Sequence, residues 1–163
     1  MAKELPAGVD PQNALIVETT PGTIVIKLND DVAPKHAERL KLLAREKFYD
    51  DVPFHRVIDG FMAQTGDGEH GNGTGGSSYP DLKAEFSGKP FVRGTVGMAR
   101  ASNPHSANSQ FFIMFDDGAF LNGQYTVIGE VVSGMDVVDK LKRGEPPASP
   151  DRIIRMQVAA DVQ

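Results

Sequence analysis

The sequence predicts a mainly β domain, an antiparallel barrel or sandwich with two covering helices. Three observations point that way. Gly (17) and Pro (11) make up 28 of 163 residues, above the ~12% of average usage, which suits a turn-rich fold. About seven or eight short β-branched or aromatic runs follow one another, separated by turn residues. Only two segments carry helical spacing, too few crossovers for a parallel sheet.

Each element has its own local reason. Ala14–Thr19 and Thr23–Leu28 are β-branched runs on either side of Pro21-Gly22, and read as an opening hairpin. In the second run Ile24 and Ile26 share one face, Val25 and Lys27 the other. Ala33–Phe48 places Ala33, Ala37, Leu40 and Ala44 at helical intervals. Pro34 suits its first turn, and Asp30 and Asp31 put negative charge at its start. Phe54–Ile58 and Phe61–Thr65 are strand-like around Asp59-Gly60. From Gly66 to Gly76 six of eleven residues are glycine, the mark of a long mobile loop. Thr95–Ala99, Phe111–Phe115 and Thr126–Val132 read as further strands. Gly134–Arg143 reads as a second helix, with Lys140, Lys142 and Arg143 at the end the dipole favours. Ile153–Ala159 closes the set after a Pro-rich loop. The expected organisation is a flexible segment over 1–13 and one domain over 14–163.

Composition excludes several classes of function. The net charge of −5 makes the chain a poor general binder of nucleic acid or of an anionic membrane. Without cysteine there is no disulfide, thiolate metal site, iron–sulfur cluster or cysteine nucleophile. No stretch approaches the ~18 apolar residues of a membrane span, and the first residues lack a signal-peptide core. A cytoplasmic address and a monomer are expected.

Motifs that suggest cofactors fail on context. Gly66, Gly68 and Gly71 match G-x-G-x-x-G, but more glycines follow where a helix should begin. Asp67, Glu69 and His70 lack metal-ligand spacing, so no metal and no cofactor are expected. The four histidines form no recognisable triad, and paired carboxylates such as Asp116-Asp117 suit turns. No nucleophile or acid–base pair emerges. What remains is an oddity. Alternation puts Phe54, Arg56 and Ile58 on one face, an arginine between large apolar groups, and Gln64 shares a face with Met62. A snorkelling arginine and a satisfied core amide would each explain one of these.

Taken together, FHRVIDGFMAQTGD, GTVGMARA, NSQFFIMF and FLNGQYTVIGEV resemble the cyclophilin family of peptidyl-prolyl cis-trans isomerases, block by block and in order. The resemblance runs from about Leu15 to Ala160, and YPDLKAEF looks like bacterial members. It implies a closed eight-stranded antiparallel β-barrel capped by two helices. It implies that Arg56 is catalytic, and that Phe61, Met62, Phe112 and Leu121 line a proline pocket. Gln64 would contact substrate backbone with Gln110 nearby, and Ala99 and Arg100 would offer a strand edge to the peptide. His55 belongs to the same signature, in a structural role. The implied partners are proline-containing polypeptides, and the implied role is assistance of protein folding. Phe120 and Tyr125 belong to the implied binding surface but depart from cyclosporin-sensitive members, which have tryptophan and histidine there. Weakened cyclosporin A binding is therefore expected, since an indole N–H donor is missing. Arg100 stands where asparagine is frequent, and the Ser102–Ala107 loop is slightly longer. The competing expectations are a proline-peptide-binding module or chaperone without relevant turnover, and a carrier for a small apolar ligand.

Overall fold

The computed structural model describes residues 5–162. Nine strands form one antiparallel sheet. They are β1 (Ala14–Thr19), β2 (Gly22–Leu28), β3 (Val52–Pro53), β4 (Arg56–Ile58), β5 (Met62–Thr65), β6 (Thr95–Met98), β7 (Phe111–Met114), β8 (Val127–Ser133) and β9 (Arg152–Val158). Two helices accompany them, α1 (Pro34–Arg45) and α2 (Met135–Val138). The spatial order is β3-β9-β1-β2-β8-β6-β7-β5-β4. The strands at the two edges, β3 and β4, are separated in the chain by Phe54 and His55 alone. Three Cα steps span no more than about 11 Å. A flat sheet of this width would hold its edges some 38 Å apart. The sheet is therefore strongly curled.

The strand count is nine where eight were expected. Val52 and Pro53 pair with Ile153 and Arg152, and the Phe54 N–H donates to Asp151 O (2.8 Å). The pairing with β5 begins only at Arg56, opposite Gln64. This break also corrects the expected face. Phe54 and Val57, three residues apart, both enter the main core, whereas Arg56 is exposed. Simple alternation holds only within 56–58.

Inside the curl lies one large apolar core: Leu15, Val17, Ile24, Ile26, Leu28, Phe54 and their neighbours, closed by the apolar face of α1. Ala33, Ala37, Leu40 and Ala44 are all buried, as their spacing predicts. The helix stops at Arg45 rather than Phe48, because Lys47 takes a left-handed conformation (φ 62°). Asp30 and Asp31 do not cap it. Glu85, arriving from a distant loop, accepts the N–H groups of His36 (2.9 Å) and Lys35 (3.4 Å). Helix α2 is shorter than expected. After Val138 the chain continues in i+3 turns, with Leu141 N–H donating to Val138 O (3.1 Å). It starts at Gly134, whose φ of 91° and tight approach to Thr23 O leave no room for a Cβ.

Two further segments make specific contacts. Of the flexible segment expected over 1–13, residues 1–4 lie outside the described residues. Leu5 and Val9 pack against Ala14, Ile16 and Ala159, and Pro11–Asn13 forms a 3-10 turn. The glycine-rich loop, expected to be mobile, is tethered. Asp67 is buried, and its carboxylate accepts the backbone N–H groups of Glu69, His70, Asn72, Gly73 and Gly75. Burial alone would raise its pKa. The backbone donors more than offset this and hold the carboxyl at about 2.

Among the described residues no helix is long and apolar enough to cross a membrane.

Candidate active site

Antiparallel register builds the site. Arg56 on β4 lies opposite Gln64 on β5, Gln64 opposite Phe112 on β7, and Phe112 opposite Gly97 on β6. One row therefore crosses four strands on the convex side of the curl. In the next row Ile58, Met62 and Met114 stand side by side. Met62, Phe112 and Met114 join Phe91, Leu121 and Val127 in a second apolar cluster, separate from the main core. Gly97 is needed there, since a Cβ would come within 2.6 Å of the Phe91 ring and 2.7 Å of the Phe112 ring. Phe91 stacks on Phe112 (5.8 Å between centroids), and Tyr125 meets Phe112 edge-on (5.8 Å).

This second cluster is incompletely covered. A cavity of about 140 Å³ opens on it, lined by Arg56, Phe61, Met62, Gln64, Ala99, Arg100, Phe112, Leu121 and Tyr125. All nine were expected at the site. Gln110 and Phe120 lie outside that lining. Gln110 accepts from Gln64 Nε2 (3.0 Å), and its own amide donates to Gly73 O and Gly75 O (3.0 and 2.9 Å). Phe120 packs on Phe61 (5.5 Å) at the rim and is 71% exposed. Ala99 N–H continues the β6–β7 pairing by donating to Gln110 O (2.9 Å). The Arg100 guanidinium lies over the Tyr125 ring (4.3 Å) and donates to Gln124 O, so its side chain as well as its backbone shapes the cavity.

The polar side of the cavity is a chain of donors and acceptors. Arg56 Nη1 donates to Gln64 Oε1 (3.4 Å), and Gln64 donates onward to Gln110. Arg56 Nε donates to Glu145 Oε1 (3.1 Å). His55 is buried behind this row, and burial, the largest influence, pulls its pKa down. The structure adds two features that sequence alone missed. Glu145 lies in what reads as a Pro-rich loop, and only the pairing of Gly144 with Val57 brings it to Arg56. A second, larger cavity of about 430 Å³ adjoins the first, bounded by the tethered loop Gly73–Ser77 together with Asp81, Arg100 and Asn108.

This geometry agrees with the comparison against known families. The model for cyclophilin type peptidyl-prolyl cis-trans isomerase/CLD matches residues 14–158. The chain belongs to the cyclophilin family. A probable peptidyl-prolyl cis-trans isomerase of Brucella suis is 55% identical over 177 aligned positions, which cover 99% of this chain and 90% of the relative. Peptidyl-prolyl cis-trans isomerase B of Escherichia coli is 46% identical over 132, covering 76% and 80%. Among solved structures, cyclophilin AquaCyp293 from Hirschia baltica superposes with a TM-score of 0.88 at 29% identity, covering 95% of this chain and 77% of that one. A Cryptosporidium parvum cyclophilin crystallised in the presence of the dipeptide Ala-Pro gives 0.82 at 26% identity, covering 89% and 98%. The chain is a peptidyl-prolyl cis-trans isomerase, and the cyclophilin fold is what the nine-stranded sheet with its two helices amounts to.

Proposed function

We propose that isomerisation takes place in the cavity over the second cluster, with Arg56 as the catalytic residue. The observation that carries this reading is the row Arg56–Gln64–Phe112, which sets a guanidinium and an amide against an apolar pocket on rigid strands. A prolyl bond turns slowly because amide resonance imposes a barrier of ~18–20 kcal/mol. No covalent bond is made or broken. Catalysis must favour the twisted amide, whose nitrogen has regained its lone pair. A fixed guanidinium N–H can donate to that nitrogen, and an always-charged planar donor suits the task better than lysine. Phe61, Met62, Phe112 and Leu121 would hold the pyrrolidine ring while the preceding residue rotates. Gln64, Ala99 and Arg100 would hold the peptide backbone, with Gln110 fixing the Gln64 amide. Phe120 and Tyr125 would complete the binding surface.

A 10⁵-fold acceleration needs about 7 kcal/mol off the barrier. One well-placed donor supplies ~3–4 kcal/mol. Orientation and the pocket supply the remainder. Arg56→Ala is expected to retain peptide binding and to lose turnover by a factor of about 10²–10³. Cis–trans exchange of a short Ala-Pro peptide, followed by NMR with both forms, tests this. Turnover comparable to wild type would remove Arg56 from the mechanism. Peptide shifts without accelerated exchange in the wild type would make the groove a clamp.

The same reading covers the finer points of the fold and its partners. Taking Val52–Ile58 as one interrupted strand gives eight strands and closes the sheet into a barrel, with β3 reaching β9 and β4 reaching β5 in support. Residues 14–163 act as one domain on proline-containing polypeptides, assisting folding. A cytoplasmic monomer belongs to the proposal, because no apolar stripe in the sequence asks for a dimer. Cyclosporin A would bind weakly, as Phe120 offers no N–H donor.

A further inference from the structure

We propose that Glu145 is a positioning residue for Arg56, an inference that rests on the catalytic reading of that arginine. Gly144 exchanges two backbone hydrogen bonds with Val57, N–H to O in both directions at 2.8 Å. In an antiparallel bridge of this kind the following residue comes to lie opposite the preceding one. Glu145 is thus held beside Arg56 by the backbone, and its Oε1 accepts the Arg56 Nε–H at 3.1 Å.

The other tether on the guanidinium is weaker. Gln64 Oε1 is neutral and accepts Nη1–H at 3.4 Å, near the outer limit of a hydrogen bond. The bond to Glu145 is shorter and joins two charges, which roughly doubles the strength of such a contact. A guanidinium is a rigid plane, so fixing Nε on one side and Nη1 on the other fixes its orientation. Nη2 has no partner among the described residues, and Arg56 lines the cavity, so this nitrogen is free for a substrate. The two side chains are 44% and 57% exposed, so water screens the pair and the expected effect is moderate.

Glu145→Ala and Glu145→Gln are measured beside wild type and Arg56→Ala, by peptide exchange and by the ¹⁵N–¹H signal of Arg56 Nε. Glu145→Ala is expected to lower kcat about fivefold (about 1 kcal/mol) with KM changed less than twofold, and to broaden the Arg56 Nε–H signal. Glu145→Gln keeps an acceptor of the same length and is expected to recover at least half the loss and a sharp signal. In an Arg56→Ala background, Glu145→Ala should add nothing. Unchanged kcat, an unchanged Nε–H signal, or a further loss in the Arg56→Ala background would each overturn the proposal. Full turnover in Arg56→Ala alone would instead overturn the catalytic reading, while the Nε–H signal still reports whether the tether exists.

Discussion

The two faces of β5 and β7 are both largely apolar, yet one is sealed and the other is open. Ala63, Phe111 and Ile113 point into the main core, whereas Met62, Phe112 and Met114 point into the second cluster. The inner face belongs to the main core, which residues of α1 and of the other strands complete. The outer face has only a short cover from Phe91, Leu121, Val127 and Tyr125, and the remaining gap is the cavity. Strand alternation puts these faces one residue apart, so a single residue step separates a core position from a position on the proposed site. Aromatic and methionine side chains dominate the open face. Such groups offer a large apolar surface and, in methionine, an adaptable shape, which suits the proline ring of the proposed function.

The sharpest test of this contrast replaces neighbours on β7. Phe111→Ala is expected to cost about 3–5 kcal/mol of stability, read from the urea midpoint, with turnover per folded molecule within about twofold of wild type. A large loss of turnover in the folded fraction would mean that the two faces are not independent. Asp67 gives the next largest effect, because it secures the loop that borders the open face. A fall in pKa from 3.8 to about 2 corresponds to about 2 kcal/mol. The carboxyl is depressed in the folded state, so this contribution is complete above about pH 4 and disappears as the pH falls through about 2. Asp67→Asn should lose it at neutral pH and raise amide exchange across Gly73–Gly75. Unaltered exchange there would show that the loop is held by other groups.

Phe112→Leu should lower kcat/KM about tenfold, about 1.4 kcal/mol, with a smaller stability loss than Phe111→Ala. The reverse ranking would place function on the inner face. The buried histidines give a gentler signal. Burial, the largest influence in each, lowers the pKa of His36 and His55, and it outweighs the attraction of Glu85 on His36 and of Asp67 on His55. In the fold both imidazoles are biased toward the neutral form relative to the unfolded chain. Their contribution to stability is present above the ordinary value of 6.5 and is lost on acidification, because the unfolded chain takes up the protons first. Imidazole titration by NMR reads this, and a folded pKa at or above 6.5 would refute it. The smallest effect is at the rim. Phe120→Trp should leave turnover within about threefold and tighten cyclosporin A about tenfold by restoring an N–H donor. Nanomolar binding by the unaltered chain would contradict the role given to that donor.

The strands were legible in the sequence because they announce themselves by alternation, whereas the candidate site residues followed from the resemblance to the cyclophilin blocks and not from periodicity. Met62 and Gln64 line one cavity and Phe111 and Ile113 enter one core, each pair sharing a face as alternation requires. What stayed hidden depends on contacts far apart in the chain. Phe54 turns inward because the strand breaks at Phe54-His55, which no local pattern marks. The start of α1 is capped by Glu85, 49 positions beyond His36, rather than by nearby aspartates. The glycine-rich loop is tied because Asp67 is buried, and composition alone says only that glycine permits motion. Glu145 reaches Arg56 across 89 positions of chain. Local propensity carries no information about such long returns.

The pairing of β1 with both β2 and β9 has a consequence for how the molecule is made. On a ribosome the hairpin of β1 and β2 emerges well before β9, and one edge of β1 has no neighbour until β9 leaves the exit tunnel. Over that interval the edge is an unpaired row of N–H and C=O groups, open to pairing with another nascent chain. The same adjacency brings Leu15 beside Val158, so a short linker could join the two ends of the sheet. A circular permutant opened at Asp59-Gly60 would place the β5-first order on the ribosome and move the exposed edge away from β1.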